Sequence, residues 1–281
     1  MKSIHFSFTI LILSLNILNI LSVDRQVNTN PVWEQFQPSI AALADGGYVI
    51  TWTSWEGAGW TECFARRFYS NNSADGPEFR VNTEDHMYQV CHSVSSFPDG
   101  GYIITWSSGA YNEMDIYAKR FYGNNSVMVP DFVVNTNFDY RQEFPQVAVL
   151  KDGGYIIIWK TEKADGSRTE ICAQRYHANN SAYGEEFIVR TYTRDNQFRS
   201  EVAALEDGGY VVTWTTMYDN AGNYNPDIYA HRYHANNSAY GDEFLVNTYT
   251  SSAQANPAIA GLKDGGDVIA WVEDRKSTRL N

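Results

Sequence analysis

Five times along the chain an alternating or apolar run leads into Asp-Gly-Gly, and a β-branched run leads out to a tryptophan seven residues after the Asp. The first copy is Asp45-Gly46-Gly47-Tyr48-Val49-Ile50-Thr51-Trp52, and the others end at Trp106, Trp159, Trp214 and Trp271. Period-two alternation on both sides of a glycine turn, whose residues can take positive φ, predicts a β-hairpin. We label its strands a and b.

Two more landmarks keep step with the hairpin. Val-Asn-Thr is centred on Asn28, Asn82, Asn135 and Asn247, with Arg190 in the one variant copy, and each centre lies 17 residues before a turn Asp. An acid opens a third run at Glu62, Asp115, Glu170 and Asp227, each 20 residues before the next centre. These runs predict strand c, as in Asp115–Phe121, and strand d, as in Glu78–Thr83, with Asn-Asn-Ser turns between them. The turn Asp residues recur at 54, 53, 55 and 57 residues, and only the b–c connection varies in length.

A four-stranded antiparallel sheet cannot bury both faces alone, and stacking such sheets round an axis does so. The expected fold is therefore all-β, a β-propeller-like array of four complete four-stranded blades plus a partial fifth. An extended array or a sandwich pair is the alternative. The mature chain starts with a strand d, Arg25–Thr29, as in a ring whose end strand completes the last blade. Nothing after Trp271 matches a strand c, and residues 276–281 look like a non-native tail, so the chain is expected to be a fragment.

Lys2, an apolar core over 4–21 and small Ser22 have the layout of a secretory signal peptide over 1–22, leaving a single repeat domain over 23–275. A membrane anchor is the competing reading of that stretch. Composition fits a soluble, ordered product, 43% hydrophobic and 15% aromatic, and lacks helix-forming runs. The formal net charge of -12 becomes -13 without Lys2, which speaks against nucleic acid and anionic membrane surfaces as partners. Cys63, Cys91 and Cys172 share no repeat position and no metal-ligand spacing. They read as buried small residues, with a Cys63–Cys91 disulfide as the other outcome in an oxidising compartment.

Residues present in every copy belong to the scaffold: the tryptophans as core, the strand-c acids and Arg67, Arg120, Arg175 and Arg232 as hydrogen-bonding or ion-pair groups, and Gln35, Gln89, Gln142, Gln197 and Gln254 as partners for backbone groups at the start of strand a. A catalytic group would be expected once. Asn71, Asn124, Asn179 and Asn236 each head an Asn-x-Ser sequon and are glycosylation candidates, plain turn chemistry being the alternative. Leu205–Trp214, Asp227–Tyr233 and Glu243–Thr248 resemble the tandem repeat of large exported bacterial surface proteins, adhesin-like and haemolysin-type calcium-binding, with similar repeats in some protists. The resemblance spans essentially the whole mature chain and implies no assigned chemistry.

In such a blade the b–c and d–a connections share one rim, where the variable loops make the unique surface. Trp33, Trp55, Trp60, Tyr111, Tyr140, Tyr218 and Tyr224 lie there among carboxylates, a combination suited to stacking and hydrogen-bonding a sugar. The primary expectation is a secreted, non-catalytic binding or adhesion module for an extracellular glycan or protein, with no cofactor and no membrane insertion after signal cleavage. A glycosidase-like propeller using two rim carboxylates, or a structural spacer, is the alternative. The oxygens of Asp219–Asp227 give calcium a weak case there.

Overall fold

The computed structural model describes residues 25–30, 32–55, 57, 59–84, 87–110, 112–162, 169–190, 196–217 and 225–273. Every regular element among them is a strand. The first unit holds β1 (Glu34–Ala42), β2 (Tyr48–Trp55), β3 (Thr61–Phe68) and β4 (Phe79–Arg80). The second holds β5 (Tyr88–Ser96), β6 (Tyr102–Ala110), β7 (Glu113–Phe121) and β8 (Val127–Val133). The third holds β9 (Arg141–Val149), β10 (Tyr155–Glu162), β11 (Thr169–Tyr176) and β12 (Phe187–Ile188). The fourth holds β13 (Gln197–Ala204), β14 (Tyr210–Thr216), β15 (Ile228–Tyr233) and β16 (Phe244–Leu245), and β17 (Gln254–Gly261) with β18 (Asp267–Glu273) makes a fifth hairpin.

Within a unit the strands pair antiparallel in the order a-b-c-d, as expected. A single parallel bridge, Thr61 to Tyr88, joins the first two units into one 8-stranded sheet. Strand d is shorter than the sequence predicts in three units, and beyond it an Asn side chain continues the pairing in the first, second and fourth. Val81 N–H donates to Cys63 O at 2.7 Å, and the Asn82 Oδ1 then accepts Cys63 N–H at 3.0 Å. The constant 20-residue interval sets the other half of that clasp. The Asn Nδ2 donates to the strand-c acid, at 2.5 Å for Asn82 to Glu62, 2.8 Å for Asn135 to Asp115 and 2.7 Å for Asn247 to Asp227.

Each Asp-Gly-Gly turn is closed by its own carboxylate, whose Oδ1 accepts the N–H two residues on, at 2.9–3.0 Å in the first four units. The first Gly has φ near +80° to +93°, open to glycine at little cost, and a Cβ on the second would press on a strand-c carbonyl in units one to four. The strand-c Arg meets the same Asp from the other side: Arg67 with Asp45, Arg120 with Asp99 at 3.8 Å, Arg175 with Asp152 at 2.5 Å and Arg232 with Asp207 at 2.7 Å. Two of these arginines also reach the next unit, Arg120 donating to Ala178 O at 2.6 Å and Arg175 to Ala235 O.

Consecutive units pack a-strand to a-strand, β1 on β5, β5 on β9, β9 on β13 and β13 on β17. The core lies in the seams between them. Trp106, Trp159 and Trp214 are buried there against the preceding unit, and Trp52 against Val27 of the N-terminal segment. Trp271 departs from the expectation: it is 38% exposed, since no strand c covers β18 among the described residues. Burying such rings contributes several kcal/mol each by area, on the order of 25 cal/mol per Å².

The a–b ends of all five units converge on one cavity of about 450 Å³, lined by Leu43, Phe97, Leu150, Leu205 and Leu262 with Lys151 and Glu206 at its edge. Five innermost strands therefore surround a common axis, while the sheets do not close into a complete ring.

Cys63 and Cys91 form a disulfide, against the preferred reading of three free thiols. The seam explains it: β3 and β5 run side by side, which brings the two Cα atoms to 5.0 Å. Cys172 stays a buried free thiol, pushed up to about 12 by that burial.

Candidate functional site

The expected rim residues are placed as follows. Trp33, Trp55 and Trp60 stand together at the b–c and d–a end of the first unit, 39%, 42% and 37% exposed. Trp33 lies against Gly57, where a Cβ would fall 2.1 Å from the ring, so the indole leaves room for glycine alone. Trp60 meets Tyr88 of the second unit edge-on, with centroids 5.7 Å apart. Tyr140 is half-buried between the second and third units, apart from that cluster. Tyr111, Tyr218 and Tyr224 lie outside the described residues, as do the 1–22 segment, the 276–281 tail and most of the proposed calcium loop.

The side chains that break the repeat lie deeper, on the innermost strands. Each a-strand carries its Gln as first or second residue and a β-bulge two to three residues later. A bulge re-aims the side chains beside it and occurs often next to active sites. One residue after the Gln, the units carry Phe36, Val90, Glu143, Phe198 and Ala255; four residues after it, Ser39, Ser93, Gln146, Glu201 and Ala258. Glu143 and Glu201 are thus single carboxylates at positions that are otherwise apolar or neutral.

Their surroundings differ. Glu143 is buried between two cations, Arg141 at 2.6 Å and Lys160 at 2.9 Å. Lys160 also lies 5.3 Å from the Phe144 centroid, and His92 of the second unit packs edge-on against that ring at 5.1 Å. Burial holds the His92 imidazole down to about 3, so it is neutral at ordinary pH. Glu201 occupies the place where Ser93 accepts the Val147 N–H of the following unit at 3.3 Å, so it faces the seam towards β17. It has no hydrogen-bonding partner among the described residues, and burial pushes its carboxyl up from 4.5 to about 7. Glu201 is therefore a proton donor near neutrality, and Glu143 is braced by two cations.

Sequence reasoning sought carboxylates on the variable loops and missed this pair. The available signal was a departure from the repeat at fixed distances from the Gln. The recurring Gln behaves as expected at Gln142, whose Nε2 donates to Asn137 O and Tyr140 O, each at 3.2 Å, and whose Oε1 accepts Trp159 Nε1–H at 2.9 Å, whereas the Gln89 and Gln197 amides have no hydrogen-bonding partner among the described residues. Among the described residues no group of three or more His, Cys, Asp or Glu is placed to hold a metal ion. No helix among them is long and apolar enough to cross a membrane.

No protein-family model and no curated protein sequence matches the chain. Solved structures do. The α-L-arabinanase of Penicillium chrysogenum, complexed with arabinobiose, superposes with a TM-score of 0.61 at 13% identity, over 84% of this chain and 74% of that one. The α-L-arabinofuranosidase of Fusarium graminearum, with an iminosugar inhibitor, gives 0.60 at 12%, over 86% and 77%. A Hadza microbial sialidase gives 0.60 at 9%, over 84% of this chain and 52% of that one. At such identities the likeness is one of fold, and it supports the propeller reading. It overturns the expectation of a non-catalytic binding or adhesion module, since the propellers this chain resembles are glycoside-cleaving enzymes.

Proposed function

We propose that the protein is an exported glycosidase-like propeller that cleaves glycosidic bonds in an extracellular glycan, arabinose-containing polymers being the first class to test. The observation that carries this reading is that Glu143, between the cations of the third unit, and Glu201, in the seam towards β17, are carboxylates on innermost strands at positions that are otherwise apolar or neutral in the repeat. Glycoside hydrolysis needs one carboxylic acid to protonate the leaving oxygen and one carboxylate to assist at the anomeric carbon. Glu201, raised by burial, suits the acid, and Glu143 suits the second role. The exposed indoles of Trp33, Trp55 and Trp60 supply a stacking surface at the open rim for more distant sugar rings. The other partner types of the sequence reading, a protein among them, gain no support from the neighbours.

Export is supported by the Met1–Ser22 layout and by the Cys63–Cys91 disulfide. In a eukaryotic secretory host Asn71, Asn124, Asn179 and Asn236 would carry N-glycans. All four are exposed on c–d turns; each Oδ1 accepts the N–H of the Ser two residues on, at 2.9–3.1 Å, which leaves the Nδ2 outward. The neighbouring Asn72, Asn125, Asn180 and Asn237 account for the turn itself, with φ of 65–70° and an Oδ1 that accepts a tyrosine hydroxyl.

The test is hydrolysis of arabinan, aryl α-L-arabinofuranosides and a sialoside by the purified chain. Glu201→Gln and Glu143→Gln should each lower kcat by about 100-fold or more. Absence of turnover across the panel, or turnover indifferent to both substitutions, would refute the reading.

A further inference from the structure

The open side of the ring carries the imprint of what fills it. Arg25–Thr29 grips the first unit as an outermost strand grips the unit that follows it. Arg66 donates to Val27 O at 2.9 Å, as Lys119 does to Val81 O at 2.8 Å. Thr29 N–H donates to Glu78 at 2.7 Å, as Thr83 N–H does to Asp131 at 2.8 Å and Thr136 N–H to Glu186 at 2.7 Å. The inner clasp differs. Asn82, Asn135 and Asn247 each hold a strand-c acid and the N–H after it, and are 2–3% exposed. Asn28 is only half-buried, and its one bond among the described residues is the local donation to Asn30 O at 2.7 Å.

The two faces that border the opening are bare in the same way. Ile40 looks back from the first unit and is 52% exposed, where its counterparts Val94 and Val147 are each 7% exposed. Val268 looks forward from the fifth unit and is 51% exposed, where Val49, Ile103 and Ile156 are at 0% and Val211 at 1%. Had only a strand c been wanting, β17 and β18 would already cover β1 and β2, and Ile40 and Val268 would shield each other. Both lie bare, so the filler includes inner strands as well.

We infer that the opening is filled by a further stretch of the same repeat in the order c-d-a-b-c, giving a six-unit ring in which Arg25–Thr29 is the outermost strand of the last unit. The first strand of that stretch covers Trp271. The last begins with an Asp or Glu whose carboxylate takes the Asn28 amide, and the N–H after it donates to Asn28 Oδ1. This rests on seam geometry alone and stands or falls separately from the catalytic reading.

The test is to read the natural transcript beyond the codon for Glu273, to express the protein it encodes, and to measure acrylamide quenching of Trp271 by difference against Trp271→Phe. The expected outcome is an extension with one more Val-Asn-Thr centre, one more Gln-to-Asp hairpin and two acid-headed strands, with Trp271 shielded as strongly as Trp214. In that protein Asn28→Ala should lower Tm by as much as Asn135→Ala. A transcript without such an extension, a Trp271 that stays quenchable, or an Asn28→Ala variant as stable as its parent would each overturn the inference. The quenching readout needs no variant at the clasp, so a misfolded Asn28→Ala protein leaves the idea open to refutation.

Discussion

Replacing Glu201 by Gln removes one proton-binding group and keeps the side chain's shape. The carboxyl binds its proton up to about pH 7 in the folded chain, against an ordinary value of 4.5. Between those values the unfolded chain has released a proton that the folded chain keeps, so stability falls as pH rises through the interval. Each tenfold change in proton affinity is about 1.4 kcal/mol, which makes the full loss roughly 3 kcal/mol, complete above about pH 7. The Gln variant has no such loss. Urea unfolding at pH 5 and pH 8 should therefore show near-equal stabilities at pH 5 and a variant more stable by up to about 3 kcal/mol at pH 8. The same variant should lose about 100- to 10,000-fold in kcat as a missing general acid. The parent's kcat should decline above about pH 7, where the acid form is spent. Parallel pH profiles of stability in parent and variant would refute the assigned environment of Glu201, whatever the kinetics show.

Reducing the Cys63–Cys91 bond, which closes a 28-residue separation, should cost about 3–4 kcal/mol and appear as a lower Tm in dithiothreitol; a Cys63→Ala/Cys91→Ala chain should then ignore the reductant. Trp159→Ala empties a fully buried seam position and should cost about 3–5 kcal/mol in chemical unfolding, whereas Trp271→Ala, already 38% exposed, should cost clearly less. In a glycosylating host, enzymatic deglycosylation should increase gel mobility in steps that disappear one by one with Asn71→Gln, Asn124→Gln, Asn179→Gln and Asn236→Gln. An unchanged band would dismiss the glycans. Trp33→Ala or Trp60→Ala should raise KM for polymeric substrate more than for aryl glycosides, since those rings stand in the first unit and Glu143 and Glu201 in the third and fourth.

The fold was legible because its landmarks are local or strictly spaced. Asp-Gly-Gly fixes a turn, and the 20-residue interval from acid to Asn is the separation of two groups that hydrogen-bond across strands c and d. What joins one unit to the next was not legible. The Lys119 bond to Val81 O links residues 38 apart with nothing in the strand alternation to mark it, and the Cys63–Cys91 bridge was weighed only as the second outcome. The candidate carboxylates of the innermost strands were not singled out for a related reason. Variable loop length was taken as the mark of function, while Glu143 and Glu201 break the repeat by identity at constant length. Where the tryptophans go was predicted correctly for four copies, and for Trp271 only the missing neighbour decided otherwise.

The clasp between Val-Asn-Thr and the following unit also bears on how such a chain could arise and be re-cut. Because several joints place their contacts at equivalent positions of the repeat, unequal recombination could add or delete a blade while rewriting few of them. Circular permutation is the laboratory counterpart: with new ends placed in a b–c connection, the rearranged chain should keep its order round the axis.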